Sequence, residues 1–102
     1  MKTIVVLYNL KPGVSREDYE AWAREADIPT VSSLGSVASF EVLKAAGLLI
    51  GEGKPPYDYV ELIKVPDMGP FGADLGQPHV QAGAARFQEF ADNPLFILTE
   101  SI

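Results

Sequence analysis

The segment TIVVLYNL, Thr3 to Leu10, constrains this chain most, because it is apolar on both faces of a strand. Ile4, Val6 and Tyr8 project to one side and Val5, Leu7 and Asn9 to the other, so neither side is written for water. Such a strand needs a layer on each face. Three further segments have strand character. Ser36 to Ala45 alternates Ala38, Phe40 and Val42 against Val37, Ser39, Glu41 and Leu43. Tyr57 to Val65 follows the turn-rich stretch Gly51 to Pro56, and Leu95 to Ser101 sets Leu95, Ile97 and Thr99 opposite Phe96, Leu98 and Glu100.

Between the first two strands, Ser15 to Pro29 reads as one amphipathic helix. Ser15 is a cap with Asp18 three residues on, Glu17 and Asp18 suit the positive helix end, and Val14 and Tyr19 have the spacing of a hydrophobic staple. Tyr19, Trp22 and Ala26 form the apolar stripe, and Pro29 is expected to stop the helix. Asp27 then falls in the last turn, where the negative helix end disfavours a carboxylate by up to about 1 kcal/mol. After the third strand, Asp67 to Leu75 is a weak helix interrupted by Gly69, Pro70 and Gly72. Pro78 to Ala91 is a stronger one, with Pro78 at its first position and Val80, Ala84, Phe87 and Ala91 on one face. Asn93-Pro94 is expected to break the chain before the last strand.

The order is β-α-β-β-α-β, which predicts a ferredoxin-like α+β fold: one four-stranded antiparallel sheet with both helices on a single face. A single domain over residues 1–102 is expected. The face opposite the helices is left bare although it is apolar, so a second copy is expected to cover it, making a homodimer.

Charge and composition narrow the function classes. Eight basic against fourteen acidic residues give a net charge of −6, with the basic ones scattered, so nucleic acid is not an expected partner. No run approaches the roughly 18 apolar residues of a membrane span. The opening MKTIVVLYNL passes into Lys11-Pro12-Gly13 without a small-residue cleavage site and reads as a strand, not a signal peptide. There is no cysteine for a disulfide, a thiolate nucleophile or a metal site, and the default address is the cytoplasm. Neither G-x-G-x-x-G, a P-loop nor G-x-S-x-G occurs, which leaves nucleotide cofactors and hydrolase elbows without support.

Lys11-Pro12-Gly13-Val14-Ser15, Tyr19, Trp22, the Asp27-x-Pro29 helix end, Tyr57-x-Tyr59-Val60-Glu61 and the closing Phe96 to Ile102 strand carry a resemblance over nearly the whole chain. The chain resembles the dimeric α/β-barrel superfamily, in particular the EthD-like proteins and, more closely, the REDY-like HapK family of prodigiosin-type pigment clusters. The EthD-like branch often has a histidine near the end of the first helix, where this chain has Asp27, which favours the HapK-like side. The resemblance implies two subunits with sheets face to face, a cavity between sheet and helices, and work on a pyrrole- or indole-derived natural product, as a cyclase or a helper of a condensation.

Closing or tautomerising an electron-rich heteroaromatic ring needs a dry pocket, aromatic walls and groups that move protons near neutral pH. Asp27, His79 and Glu61 are the candidates. Asp27 has an unfavourable helix position and apolar neighbours, which would raise its pKa; otherwise it is solvated or bonds a backbone N–H in the 28–31 turn. His79, the only histidine, follows Pro78 at a helix start and offers a ring able to accept a proton, or is an exposed residue of no consequence; one histidine is too few for a metal site. Glu61 lies mid-strand on the face of Tyr59 and Ile63, as a semi-buried carboxylate needing a partner, with a contact across the dimer slightly ahead of catalysis. Tyr8, Tyr19, Trp22, Phe40, Tyr59 and Phe87 have core spacings individually, and some of them should line a cavity for a small aromatic metabolite. The expectation is therefore a cofactor-free acid/base cyclase without a metal. The alternatives are a cofactor-independent monooxygenase and a binding protein that shields a reactive intermediate.

Overall fold

The strand written for two dry faces takes an inner place in the sheet. The computed structural model describes residues 1–102. In chain order they form β1 (Lys2–Leu10), α1 (Arg16–Trp22), a π-helical turn (Ala23–Asp27), α2 (Ile28–Ser32), β2 (Ser39–Lys44), β3 (Tyr59–Val65), α3 (Met68–Leu75), α4 (Pro78–Phe90) and β4 (Ala91–Glu100). The strand order is β2-β3-β1-β4 with antiparallel neighbours, which is the ferredoxin-like α+β fold. Val42, Glu61, Val6 and Phe96 form one row across the sheet, and Phe40, Ile63, Ile4 and Leu98 another. These rows lie on the helix-covered face, where Val6, Tyr8, Tyr59 and Glu61 pack beneath Tyr19, Ala23, Phe87 and Phe90 and are buried. Each large apolar side chain fully buried there contributes about 1.5–3 kcal/mol.

The other face carries the rows Leu43, Val60, Leu7, Leu95 and Glu41, Leu62, Val5, Ile97. No helix covers them, and Leu43, Leu95 and Ile97 are each at least 40% exposed. No helix of the chain is long and apolar enough to cross a membrane.

Several boundaries differ from the sequence reading. β2 starts at Ser39 instead of Ser36, because Ser36 is tied to α3: its N–H and hydroxyl both donate to Asp74 Oδ2, at 3.3 and 2.6 Å. α3 is a regular helix despite its glycines, since the Asp67 side chain accepts from Gly69 N–H at 3.0 Å and caps it. β4 begins at Ala91 and runs through Asn93-Pro94. Asn93 takes a positive φ of 46° and the register slips between Leu7 and Asn9, so the expected break is absorbed as a bulge. Proline is tolerated there because β4 is an edge strand.

The largest correction concerns the first helix. Ser15 caps it as expected, accepting from Asp18 N–H at 3.3 Å. Pro29, however, does not stop it. Ile28 N–H bonds to Ala23 O, five residues back, and the helix resumes through Ser32. Pro29 has no N–H to give Glu25, so the regular ladder is interrupted there in any case, and Pro29 falls in the first turn of α2, where a missing donor costs little. Asp27 therefore lies in the middle of a continuous helical segment, at a π turn, and not at a helix end.

Candidate active site

The π turn carries Asp27 toward the sheet, where β3 presents Glu61. Both carboxylates line one cavity of about 140 Å³ between α2, α4 and the sheet, whose remaining walls include Val31, Phe40, Ile63, Val80, Phe87 and Phe96. Glu61 is 5% exposed. The Tyr8 hydroxyl donates to Glu61 Oε2 at 3.1 Å and is itself hydrogen-bonded to the Tyr19 hydroxyl. With Tyr8 donating to Glu61, Tyr19 is the donor to Tyr8, so the order is Tyr19 to Tyr8 to Glu61. The Tyr8 ring stacks on Tyr59 at 5.6 Å and meets Phe87 edge-on at 4.9 Å, which fixes the direction of its hydroxyl.

Electrostatics follow from this burial. Loss of water pushes Glu61 up to about 8, with the nearby Asp27 charge adding to the rise and the Tyr8 hydrogen bond opposing it. Burial alone pushes Asp27 up to about 6. The helix end invoked in the sequence reading has no part in this, because Asp27 is mid-helix. The Tyr8 and Tyr19 hydroxyls are driven upward by the same desolvation and stay protonated. The two carboxyls are coupled, and the more deeply buried Glu61 is held further toward its protonated form than Asp27. A neutral acid and a carboxylate facing one apolar cavity can give and take a proton on a bound ring.

The sequence reading that Glu61 bridges a dimer is overturned. Its side chain points to the helix-covered face, and its partner is Tyr8 of the same chain. His79 is exposed and does not reach the Glu61 cavity. It borders an outer groove of about 250 Å³ between the first helical segment and α4, together with Trp22, Ala26, Asp27, Thr30 and Arg86. Asp27 lines both spaces, and so stands between the other two candidates. No three histidine, aspartate or glutamate side chains are grouped as ligands for a metal ion.

The aromatic residues divide in the same way. Phe40 and Phe87 are cavity walls, and Trp22 is a wall of the outer groove. Tyr19 and Tyr59 border a third space of about 160 Å³ beside Glu20, Arg24 and Lys44, where the Tyr59 hydroxyl donates to Glu20 Oε2 at 2.8 Å. That bond holds Glu20 below its usual range and helps burial push Tyr59 up to about 12. Tyr8 is fully buried and touches the site through its hydroxyl. Thr30, Gly83 and Phe96 are among the lining residues that the sequence does not single out. Thr30 lay beyond the expected helix stop, Gly83 has no side chain to notice, and Phe96 is 59% exposed on an edge strand.

Comparison with known proteins agrees with this architecture. A family model described as REDY-like protein HapK matches residues 2–102. The crystal structure of HapK from Hahella chejuensis is similar with a TM-score of 0.78 and 29% identity, over 100% of this chain and 93% of that one. A dimeric ferredoxin-like protein from Thermobifida fusca shares the fold at a TM-score of 0.74 and 14% identity, over 98% of this chain and 90% of that one. SnoaB, a cofactor-independent oxygenase from Streptomyces nogalater, does so at 0.71 and 18% identity, over 98% and 91%. No curated protein matches the sequence.

Proposed function

The chain belongs to the REDY-like HapK family, and from that premise we propose that it is a cofactor-free acid/base catalyst that cyclises a pyrrole- or indole-derived intermediate of natural-product biosynthesis. The observation that carries this reading is the Asp27–Glu61 pair in one apolar cavity, poised at about 6 and about 8. Protonated Glu61 gives its proton to an imine nitrogen or exocyclic oxygen of the bound ring. The ring carbon so activated forms the new bond, and the Asp27 carboxylate takes the proton released as aromaticity returns. One proton is delivered and one removed, so the pair is reset by exchange with solvent through the outer groove that Asp27 also borders. Phe40 and Phe87 hold the ring flat, and Tyr8 orients Glu61 so that Oε1 is the oxygen free to carry the proton. His79 and Trp22 act at the outer groove, His79 as a proton acceptor toward water.

The working unit in this proposal is a cytoplasmic homodimer of single-domain subunits. It is supported by the uncovered rows of Leu43, Leu95 and Ile97, whose burial would gain about 25 cal/mol per Å².

The test is incubation of purified protein with bisindole and bipyrrole pathway intermediates, followed by mass spectrometry, beside Asp27→Asn and Glu61→Gln. A cyclised product that needs the wild-type pair supports the reading. Oxygen consumed in step with product would replace it with a monooxygenase, and tight binding with an unchanged product distribution would replace it with a carrier.

A further inference from the structure

The Glu61 cavity has an apolar mouth. The lining residues that remain exposed are Leu75 at the end of α3, Ala84 and Gln88 on α4, and Phe96 on β4. The mouth therefore opens between these helices and the β4 edge of the sheet. None of the four rim residues is charged, and only Gln88 is polar. Leu98, two residues beyond Phe96 on the same face of β4, is exposed beside them. Packing the bare sheet faces of two copies together covers Leu95 and Ile97, but Phe96 and Leu98 project to the opposite side and stay uncovered. An exposed apolar edge strand of this length calls for a cover of its own.

A second uncovered apolar stretch lies at the other edge. The β2–β3 hairpin is closed by Ala45 N–H, which donates to Asp58 O at 2.8 Å. Beyond that bond, Leu48, Leu49 and Ile50 form an exposed tip, with Leu49 at 99% and Ile50 at 87%. The run from Ala45 to Gly51 holds no charged residue, so the tip matches the rim in being both apolar and uncharged. Gly51 takes a φ of 99°, which a residue with a side chain rarely adopts, so the turn after the tip is built into the backbone. The base of the loop is tied to Asn9, whose side-chain amide donates to Pro56 O at 3.1 Å and whose Oδ1 accepts from Asp58 N–H at 2.9 Å. The tip is on the β2 side of the sheet and the mouth on the β4 side, so within one chain the two do not meet. A twofold axis parallel to the strands changes that. It lays the strand order of one sheet in reverse over the other, and so sets the β2 edge of each copy against the β4 edge of its partner.

We propose that in the homodimer the Leu48–Ile50 tip of each copy folds over the β4 edge of its partner and seals the partner's Glu61 cavity, so that each site is completed by the other chain. The proposal rests on the dimer reading above for its occupant. A second copy accounts for both uncovered surfaces at once, because each copy supplies one tip and one mouth. A lipid surface would leave the rim at Phe96 bare, and it would meet a chain of net charge −6 with only Lys44 and Lys54 near the tip. The seal also serves the chemistry, since a mouth closed by leucine and isoleucine keeps water from the buried carboxyl.

The chain has no cysteine, so introduced thiols report only on themselves. Leu49→Cys and Leu98→Cys chains, each altered at an exposed position, are mixed and treated with a short thiol–thiol crosslinker. We expect a covalent dimer from the mixture and none from either variant alone. A dimer in sedimentation that gives no crosslink in the mixture overturns the seal and leaves the dimer standing, whereas a monomeric wild type removes both. A second variant replaces Leu48, Leu49 and Ile50 together by serine, which a single chain tolerates because all three are exposed. It should weaken the dimer at least about tenfold. At concentrations where it is still dimeric, the Glu61 carboxyl should titrate lower than in the wild type, because water enters the mouth. An unmoved Glu61 titration there overturns the seal. So does wild-type binding to phosphatidylcholine vesicles that the serine variant loses, which assigns the tip to a membrane. A crosslinked dimer that converts no intermediate removes the cyclase reading and supports the seal.

Discussion

The Tyr8 hydroxyl, on β1, donates at 3.1 Å to Glu61 Oε2, on the neighbouring strand β3, and both side chains lie beneath the helices. This bond stabilises the carboxylate form of Glu61 and is the one influence that holds its pKa down against burial and the Asp27 charge. Tyr8→Phe removes it and should therefore raise the Glu61 pKa further above about 8. A hydrogen bond to a charged group is worth about 1.5–3 kcal/mol, which corresponds to an upward move on the order of 1 to 2 pH units. A ¹³C NMR titration of the Glu61 carboxyl in both proteins reads this directly. A downward move would mean that Tyr8 supports the neutral acid instead.

Glu61 also ties stability to pH. Its pKa is raised on folding from 4.5 to about 8, so the folded chain holds the proton more tightly than the unfolded chain does. Stability is then full at acid pH, declines as pH rises from the ordinary carboxylate range through about 8, and is flat above. A shift of this size corresponds to a loss on the order of 3–5 kcal/mol across that window. Glu61→Gln keeps an acceptor for Tyr8 and cannot ionise. It should melt close to wild type at pH 5 and clearly above it at pH 9. Equal melting temperatures at pH 9 would show that Glu61 reaches water.

The architecture was legible because the hydrophobic periodicities of four strands and two helical regions are long, and their order admits one common antiparallel arrangement. Ser15, Pro78 and the two-faced β1 were read from local chemistry that the packing respects. What stayed hidden depended on backbone irregularity. Pro29 is a helix stopper by local rule, but a π turn just before it lets the helix continue and moves Asp27 from an end to an interior wall. Asn93-Pro94 is a breaker by the same rule and became a bulge on an edge strand. Alternation alone does not tell which face of β3 the helices cover, so it leaves an interface partner open for Glu61, whereas Tyr8 supplies the partner within the chain.

The bare sheet face yields a prediction about assembly. Ile97 and Val5 are paired there, and Ile97 is 42% exposed in the single chain, so a charge at this position is tolerated by the subunit. Face-to-face association would bury that charge without a partner at a cost of several kcal/mol. Ile97→Lys should sediment as a monomer at concentrations where the wild type sediments as a dimer, with an unchanged far-ultraviolet circular dichroism spectrum. A monomeric wild type would remove the basis for covering this face.

The Asp27–Glu61 pair sets the pH range of any acid/base turnover. A base that must be ionised gives a rising limb near 6, and an acid that must be protonated gives a falling limb near 8, so the rate should follow a bell between them. Asp27→Asn acts on both limbs. The rising limb disappears with the base, and the falling limb moves to lower pH, because the Asp27 charge that helped to raise Glu61 is gone. The remaining rate should drop by about 10²–10⁴-fold, the usual worth of one positioned proton-transfer group. Initial rates of product formation from pH 5 to pH 9, measured for both proteins, decide the matter. A falling limb that stays at its wild-type position in Asp27→Asn would show that the two carboxyls do not sense each other, and the paired mechanism would then have to be abandoned in favour of Glu61 acting alone.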